Sequence, residues 1–339
     1  MIKYVIKNAW RESVADFLKR KGFTGPPRYY IRQIILDTLT KMAKKDDRIC
    51  FIGADFPGEL PYTTEGIPLN RVINLGIAEP NVITVASGWA NEGYIPVIMS
   101  MGWLYGRAYN QIFQSIGIDN HNVKLLGYAR AWAGGGASHH DINDIGFMRS
   151  IPQMLILAPA DDVELEKALT ASLKYHGSVY LRIIGVPTVN LFEKSYPYQL
   201  GKAVTVREGD DASIISYGLM LWRSLEASDI LAKEGIDVRV INMNTIKPLD
   251  EKIIIKAAEE TGTIVTAEDH TIMTGVGEAV TRVLAKHCPV PVEMVGVRDL
   301  YSQSTMDKLG GWEILEKAYH LTAEDVAEAV RTAVKRKSK

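Results

Sequence analysis

The carboxylate of Glu79 is the first side chain whose position in the sequence predicts chemistry. It follows a short, mostly apolar run (72–75) and a turn at Gly76, and it precedes Pro80 and a helical pattern of apolar residues that continues to Trp89. Because proline fits the first helical turn, the spacing places Glu79 at a strand-to-helix junction. There the helix dipole favours the carboxylate anion, whereas burial favours the neutral acid and permits proton exchange near neutral pH. Two interpretations stay open, a proton-transferring carboxylate and a helix-capping glutamate.

A glycine-rich loop followed by adjacent histidines is the second candidate site. Three consecutive glycines (134–136) permit close approach of the backbone to a ligand, and histidine exchanges protons near neutral pH. On an extended backbone, His139 and His140 cannot both face one ligand, so one of them is predicted to be a neighbour and not a catalyst. A glycine turn capped by Ser138 or Asp141 is the alternative. Metal binding is not indicated, because the histidines and the acidic residues after them lack a recognised ligand spacing.

Two further patterns carry weaker chemical signals. Arg107 and Gln111 are one helical turn apart, which suits an anion or a partner carboxylate, although a surface arginine with a supporting hydrogen bond is the alternative. Gly275 and Gly277 follow a predicted strand, but Val280 occupies the third glycine position of the dinucleotide fingerprint. A dinucleotide site is therefore not predicted.

The composition limits the class of protein. The chain has 339 residues, 47% hydrophobic and 23% charged, with a formal net charge of -1. These values predict two or three globular domains and argue against disorder and against electrostatic binding of nucleic acid. Cys50 and Cys288 lie in separate apolar contexts, which predicts reduced thiols and favours the cytoplasm. Neither a secretory signal pattern nor an apolar run of membrane-spanning length occurs, so no membrane association is expected.

The order of the predicted elements shows how these side chains are positioned. After a charged N-terminal extension (1–26), helical and strand patterns alternate through residues 27–187, which predicts a mostly parallel sheet with helices on both faces. Residues 188–199 contain prolines and mixed polarity and are predicted to be a linker. A second alternating unit follows at 200–339. The predicted fold class is α/β, with two consecutive α/β domains, each a mostly parallel sheet flanked by helices.

Together the motifs resemble those of one family. The stretch GIAEPNVITVASGWANEG, which contains Glu79, is similar to the pyrimidine-binding motif of transketolases, and GGASHHDINDIGFMRSIPQMLILAPAD, which contains His139, is similar to the second signature of that domain. The spacing between them also matches, and the resemblance covers almost the whole chain after residue 27. It implies a thiamine-pyrimidine-binding domain and a transketolase C-terminal domain. The family's diphosphate-binding domain, with its GDG motif and downstream Asn for magnesium, has no counterpart in these 339 residues, a pattern expected of one half of a split transketolase.

The resemblance implies a role for each matching residue. Glu79 would hydrogen-bond the pyrimidine N1′ of thiamine diphosphate and favour the imino form, which takes a proton from thiazolium C2. The cofactor would act as the electron sink while a two-carbon ketol unit moves between sugar phosphates. His139 would contact substrate oxygens and assist proton transfer, and Arg182 would bind the substrate phosphate. Asp55 and Arg107 would lie near the cofactor.

The sequence departs from the family pattern where a ring stacks on the cofactor pyrimidine. Met101 and Leu104 stand at positions that are usually aromatic. Leu104 is predicted to supply an apolar face, and a shift of one residue would bring Trp103 or Tyr105 there instead.

The loop before His139 departs as well. Gly127 and Gly135 stand where ordinary transketolases place the His and Asp that contact sugar substrates. Arg130 is the predicted substrate-binding replacement, and the acceptor is predicted to differ.

Three functions are compatible with the sequence. The first is a transketolase subunit that requires a separate diphosphate-binding subunit, which holds Mg²⁺, in a heterotetramer built around a homodimer of this chain. The second is the beta subunit of a 2-oxoacid dehydrogenase decarboxylating component, which shares the two-domain plan, although DINDIGFMRSIPQM looks more like a transketolase. The third is a noncatalytic assembly protein of the same fold.

Overall fold

The structure, a computed structural model, describes residues 28–54, 67–129, 137–184, 189–301 and 312–337. The sequence predictions for the extension 1–26, Asp55, Arg130 and Gly135 fall outside these ranges.

The described residues form strands and helices in alternation. The strands are β1 (Ile49–Gly53), β2 (Val72–Asn74), β3 (Ile95–Met101), β4 (Lys124–Ala129), β5 (Leu155–Leu157), β6 (Val179–Ile184), β7 (Val204–Arg207), β8 (Ala212–Ser216), β9 (Val238–Asn242), β10 (Thr245–Lys247), β11 (Ile264–Thr271) and β12 (Val292–Val297). The α-helices are α1 (Arg28–Ala43), α2 (Glu79–Asn91), α3 (Leu104–Arg107), α4 (Tyr109–Gln111), α5 (Asp144–Arg149), α6 (Asp162–Lys174), α7 (Leu219–Ala232), α8 (Glu251–Thr261), α9 (Val276–His287), α10 (Trp312–Ala318) and α11 (Ala323–Lys337). A π-helical turn spans Ile112–Gly117, and 3₁₀ turns span Leu69–Arg71 and Ala137–His139.

Two mostly parallel sheets organise the chain. The strand order is β10-β5-β6-β4-β3-β1-β2 in the first sheet and β12-β11-β8-β9-β7 in the second. Each has an antiparallel pair at one edge, β10 with β5 and β7 with β9. Strands β1, β4 and β6 are buried along their whole length, as expected of parallel strands covered by helices on both faces. The predicted α/β fold class is confirmed, and the exact domain limits stay a prediction.

Strand β10 connects the two halves and was not predicted from the sequence. It belongs to the second half of the chain, yet Thr245 pairs with Leu157 of β5 in the first sheet. Three residues are too few to show an alternation of apolar and polar side chains, so the sequence pattern does not predict this strand. One apolar core runs through this junction, since Ile156, Ile246 and Val276 belong to the same cluster of buried side chains. The two sheets are therefore packed against each other through a continuous core.

The helical turn that the sequence predicts between Arg107 and Gln111 is interrupted. In its place α3, α4 and the π-helical turn follow each other, with Ala108 at φ -109° between α3 and α4. Tyr105 attaches the start of this segment to the sheet, because its hydroxyl donates to the carbonyl oxygens of Ile98 in β3 and Leu126 in β4, both at 3.0 Å. This segment follows β3 and lies beside the candidate site.

Candidate active site

Glu79 is the first residue of α2, and the preceding loop brings it to the carboxyl end of the sheet. Leu75 continues the pairing of β2 by donating to the carbonyl of Gly53, and Gly76 then turns the chain at φ 73°. In the left-handed region that this turn requires, glycine has no steric penalty. The predicted strand-to-helix placement of Glu79 is confirmed.

The carboxylate of Glu79 is buried but incompletely paired. The residue is 5% exposed, and its Oε1 lies 3.8 Å from Nη1 of Arg107, whose side chain is 57% exposed. Its Oε2 is buried and accepts no hydrogen bond from any residue that the structure describes. The N-cap residue Ala78 makes no side-chain cap, and within the described residues the Glu79 carboxylate receives no N–H of its own helix. These contacts do not support the capping interpretation, because they leave one oxygen available to a ligand.

The residues predicted to face the cofactor ring take different positions. Met101 ends β3 and is half-buried, and Leu104 begins α3 with 7% exposure. The structure does not support the alternative with Tyr105, because its ring is buried and its hydroxyl donates to two strand carbonyls. Trp103 instead packs against His139, with ring centroids 5.2 Å apart and an interplanar angle of 63°. Leu104 remains as the apolar candidate.

The two histidines diverge, although the backbone at His139 is not the extended one on which that prediction rested. His139 is exposed at the end of the 3₁₀ turn, while His140 is buried with its Nδ1 2.9 Å from the hydroxyl oxygen of Tyr319. His139 is therefore the one whose ring is accessible to substrate. Its contact with Trp103 fixes one edge of that ring.

Asp141 holds the loop against α3 and was not assigned this role from the sequence. Its Oδ2 accepts the backbone N–H of Trp103 at 2.9 Å, and a Cβ at Gly102 would lie only 2.2 Å from that oxygen. Burial, followed by the nearby negative charge of Asp144, raises the pKa of Asp141 well above its usual range. Asp141 lies outside the next helix, α5, which begins at Asp144. The sequence indicates this role only through the position of Asp141 directly after the two histidines.

Arg182 does not lie at an accessible surface. Its side chain is 1% exposed; Nε donates to Asp144 at 2.9 Å, Nη1 to the Asp269 carboxylate at 2.6 Å and Nη2 to the Asp269 carbonyl at 3.1 Å. A guanidinium engaged with two buried carboxylates has no open face for a phosphate. The structure therefore does not support the predicted contact of Arg182 with substrate phosphate, and it assigns this residue to the junction between the two halves.

Gly127 is explained by packing. A Cβ at this position in β4 would lie 2.4 Å from the hydroxyl oxygen of Tyr180, which itself donates to Asp144 at 2.6 Å. Tyr180 thus fills the space in which a side chain at position 127 would project. The family histidine cannot be accommodated beside this tyrosine.

The glycines near 275 carry no phosphate site. Glu268 of β11 accepts the N–H groups of Val276 and Gly277 at 2.8 and 2.9 Å, and a Cβ at Gly275 would collide with its carboxylate at 2.2 Å. The N-terminal amides of α9 that a phosphate would need are therefore occupied by the protein itself. Burial raises the pKa of Glu268.

A cleft between the two halves lies beside Trp103. Its volume is about 690 Å³, a size that accommodates small-molecule ligands. Its lining includes Trp103, His140 and Asn143 from the first half and Arg298 and Tyr301 from the second. Among the described residues, no cluster of three or more His, Cys, Asp or Glu side chains is arranged to hold a metal ion. In the same ranges, no helix has the length and apolar character needed to span a membrane.

Comparison with known proteins identifies the family. Residues 29–184 match the transketolase pyrimidine binding domain, and residues 201–326 match the transketolase C-terminal domain. The 6-deoxy-6-sulfo-D-fructose transketolase subunit SqwH of Clostridium sp. (strain MSTE9) is 33% identical over 315 residues, which cover 91% of this chain and 96% of the relative. The chain belongs to the transketolase family.

Other transketolase-family relatives differ in how much of them this chain covers. An apulose-4-phosphate transketolase subunit of Phocaeicola vulgatus is 32% identical, with 79% of this chain and 87% of the relative covered. The 1-deoxy-D-xylulose-5-phosphate synthase of Heliobacterium modesticaldum is 35% identical over 92% of this chain, but only 48% of the synthase is covered. This chain therefore spans about half the length of that synthase.

Solved structures show the same transketolase fold. A split gene transketolase, described as an inactive beta4 tetramer, superposes with a TM-score of 0.81 at 32% identity, covering 91% of this chain and 99% of the other. The transketolase from Leishmania mexicana superposes with a TM-score of 0.71 at 17% identity, covering 91% of this chain and 46% of the other. The second likeness shows the fold alone.

The surroundings of Glu79 fit the thiamine pyrimidine that the transketolase resemblance implies. An unpaired buried carboxylate oxygen costs about 1–3 kcal/mol or more, unless a donor from a ligand or partner completes it. The unpaired Oε2 of Glu79 is an acceptor suited to a protonated ring nitrogen. Leu104 supplies apolar surface nearby on α3, the helix that also carries Arg107.

Proposed function

We propose that this chain is the pyrimidine-binding subunit of a thiamine diphosphate-dependent transketolase-like enzyme, with a pyrimidine-binding domain at 27–187 and a C-terminal domain at 200–339. The enzyme transfers a two-carbon ketol unit between sugar phosphates and requires a second chain that holds the diphosphate and Mg²⁺. The observation that carries the proposal is the buried Oε2 of Glu79. This oxygen accepts no hydrogen bond within the described part of the chain, although Glu79 stands at the start of a helix in the family's pyrimidine-binding motif.

Glu79 would hold the cofactor by accepting the pyrimidine N1′ hydrogen and would exchange a proton at that nitrogen. Burial strengthens such a hydrogen bond because water does not compete for the carboxylate. Arg107, 3.8 Å from Oε1, keeps positive charge beside the carboxylate and leaves Oε2 for the ligand. When bound, thiamine diphosphate supplies the electron sink for breaking and forming the C–C bond.

His139 contacts the substrate oxygens. It is exposed, belongs to the residue type that exchanges protons near neutral pH, and is held at one ring edge by Trp103. The neighbouring cleft, which is lined in part by Trp103 and Asn143, offers space for the sugar chain. Arg298 and Asp299, both exposed, place one positive and one negative charge at the second-half wall of the cleft.

A partner chain supplies what the described residues lack. Ile77, two positions before Glu79, is 69% exposed, and Tyr94 and Ile118 are also exposed apolar or aromatic side chains of the first half. Apolar surface beside a buried, unpaired carboxylate suits a contact with another chain. Two relatives covered over 96% and 87% of their length are named as subunits, which supports an assembly with a separate chain. The form proposed for this assembly is a heterotetramer built around a homodimer of this chain.

The names of the relatives support an anionic sugar substrate. One is named for a sulfonated fructose and another for a sugar phosphate. Both names describe sugars with an anionic end group. We therefore propose a sugar substrate with an anionic end group, a phosphate in preference to a sulfonate.

The experiment compares the purified chain with its complex. Thiamine diphosphate affinity and ketol transfer are measured in the presence of Mg²⁺, before and after addition of a chain of the diphosphate-binding transketolase class. We expect weak cofactor binding and no transfer by the chain alone, and both activities in the mixture. Oxidative decarboxylation products instead of ketol transfer would indicate the 2-oxoacid dehydrogenase alternative. Full transfer by the chain alone would refute the requirement for a partner.

A further inference from the structure

The segment Ala137–Arg149, called here the histidine loop, is held by the second half of the chain at regular intervals. The carbonyl of Ile142 accepts the N–H of Thr271 at 2.7 Å, and the N–H of Gly146 donates to Nε2 of His270 at 3.3 Å. Arg149 donates to the carbonyl of Gly275 at 2.6 Å. Ordinary loops run over the surface with few such ties.

The tie nearest to the candidate site is the pair His140 and Tyr319. Nδ1 of His140 lies 2.9 Å from the Tyr319 hydroxyl oxygen, and the rings meet edge to face with centroids 6.1 Å apart and an angle of 81°. Both side chains are buried, at 6% and 1% exposure. Tyr319 follows α10 and belongs to the apolar core of the second sheet. A rigid part of the second half therefore holds the residue adjacent to His139.

This pair determines where His139 points. Because successive side chains leave the backbone in different directions, fixing the His140 ring inward fixes the peptide from which His139 projects outward. On the other side, Asp141 accepts the backbone N–H of Trp103 at 2.9 Å, and the Trp103 ring meets the His139 ring. His139 is thus placed between a residue tied to the second half and a residue tied to α3.

We propose that Tyr319 is a positioning residue for the candidate active site, acting on His139 through its hydrogen bond to His140. The second half of the chain then has a part in catalysis as the support of the histidine loop. The effect on turnover rests on the proposed function, whereas the effect on the position of His139 does not. Displacement of a substrate-contacting group by a fraction of an ångström to 1 Å lowers rates by about 10- to 100-fold.

Tyr319→Phe is the selective variant, since it keeps the ring and removes the hydroxyl alone. Tyr196→Phe is the matched control: Tyr196 is also buried, and its hydroxyl donates to Glu164 at 2.9 Å and accepts from Asn244 at 3.3 Å, two residues outside the histidine loop. The first readout is the ¹³Cε1–¹H NMR resonance of His139 in the chain alone, assigned by its loss in His139→Ala. The second is steady-state ketol transfer by the complex with the partner chain.

The expected result is a shifted or broadened His139 resonance in Tyr319→Phe and an unchanged one in Tyr196→Phe. In the complex, kcat/KM of Tyr319→Phe falls about 10-fold while thiamine diphosphate affinity stays constant, because the surroundings of Glu79 are untouched. An unchanged His139 resonance in Tyr319→Phe, or equal changes in both variants, would overturn the proposal. If the wild-type complex shows no ketol transfer, the proposed function fails and the NMR comparison still decides the positioning role.

Discussion

Arg182 binds Asp269 across the junction of the two sheets, with 2.6 Å between Nη1 and Oδ1. Arg182 belongs to β6 of the first sheet and Asp269 to β11 of the second. Its Nε also pairs with Asp144, so one buried cation serves two buried carboxylates. Such charges are tolerated inside a protein only when they are paired and hydrogen-bonded. The pairing makes Arg182 a structural element of the junction.

Arg182→Met should therefore destabilise the fold. It removes the cation and leaves Asp144 and Asp269 buried without it, which typically costs about 3–5 kcal/mol. The free energy of unfolding is measured by urea titration. Arg336→Met is the control, because Arg336 is 51% exposed, its pair with Glu293 lies at the surface, and exposed pairs contribute at most about 1 kcal/mol. Equal losses in the two variants would contradict the assignment.

Asp141→Asn should stabilise the protein at neutral pH. Burial and then the charge of Asp144 raise the pKa of Asp141 well above that of the unfolded chain, about 3.9. A carboxyl with a raised folded pKa contributes stability that is complete below the unfolded pKa and is lost as pH rises through the folded pKa. Asparagine keeps the acceptor for the Trp103 N–H but does not titrate.

The stability advantage of Asp141→Asn over the wild type should thus grow as pH rises from about 4 to 8. Chemical unfolding at several pH values measures it. Asp141→Ala, which removes the acceptor as well, should be less stable than Asp141→Asn at every pH. An advantage that shrinks with rising pH would show that the sign is wrong.

His139→Ala should lower turnover with little loss of stability, whereas His140→Ala should lower both, and turnover by less than His139→Ala. Removing the His139 ring should lower turnover of the complex by about 10²-fold or more, because a proton-transferring group is lost. The unfolding free energy should change little, because this side chain is exposed. His140→Ala leaves a cavity and an altered contact at Tyr319, so it costs about 2 kcal/mol of stability. Turnover and urea unfolding are measured for both variants. Equal, small effects on turnover would favour a glycine loop without a catalytic histidine.

Much of the fold is predictable from local patterns. Apolar runs and amphipathic helices alternate, and each pattern is complete within a short segment. Capping residues also mark the starts of helices. Asp161 accepts the N–H of Glu164 at 2.8 Å, and Thr322 accepts the N–H of Asp325 at 3.2 Å while its own N–H donates to the Asp325 carboxylate. Strand β10 is not predictable, because three residues have no period and its partner β5 is far away in sequence. Pairing between distant strands is decided by tertiary packing.

The site divides in the same way. The position of Glu79 follows from strand and helix geometry, which acts over a few residues. The burial of His140 depends on Tyr319, which is far away in sequence. The roles of Arg182 and Asp141 depend on contacts with other elements, Arg182 with Asp269 and Asp141 with Trp103. Spacing along the chain therefore does not predict these roles. A motif match predicts a position on the backbone, whereas the partner of a charged side chain depends on the whole fold.

The central claim is that Glu79 is the proton-relaying carboxylate of a cofactor half-site. The most direct measurement is the ketol-transfer rate of the complex carrying Glu79→Gln, with Glu92→Gln, at the exposed end of the same helix, as the control. Glutamine is nearly isosteric and remains beside Arg107, but it cannot relay the proton. The predicted result is unchanged unfolding free energy and a rate lower by about 10²–10⁴-fold, with Glu92→Gln at the wild-type rate. A near-wild-type rate for Glu79→Gln would contradict the claim.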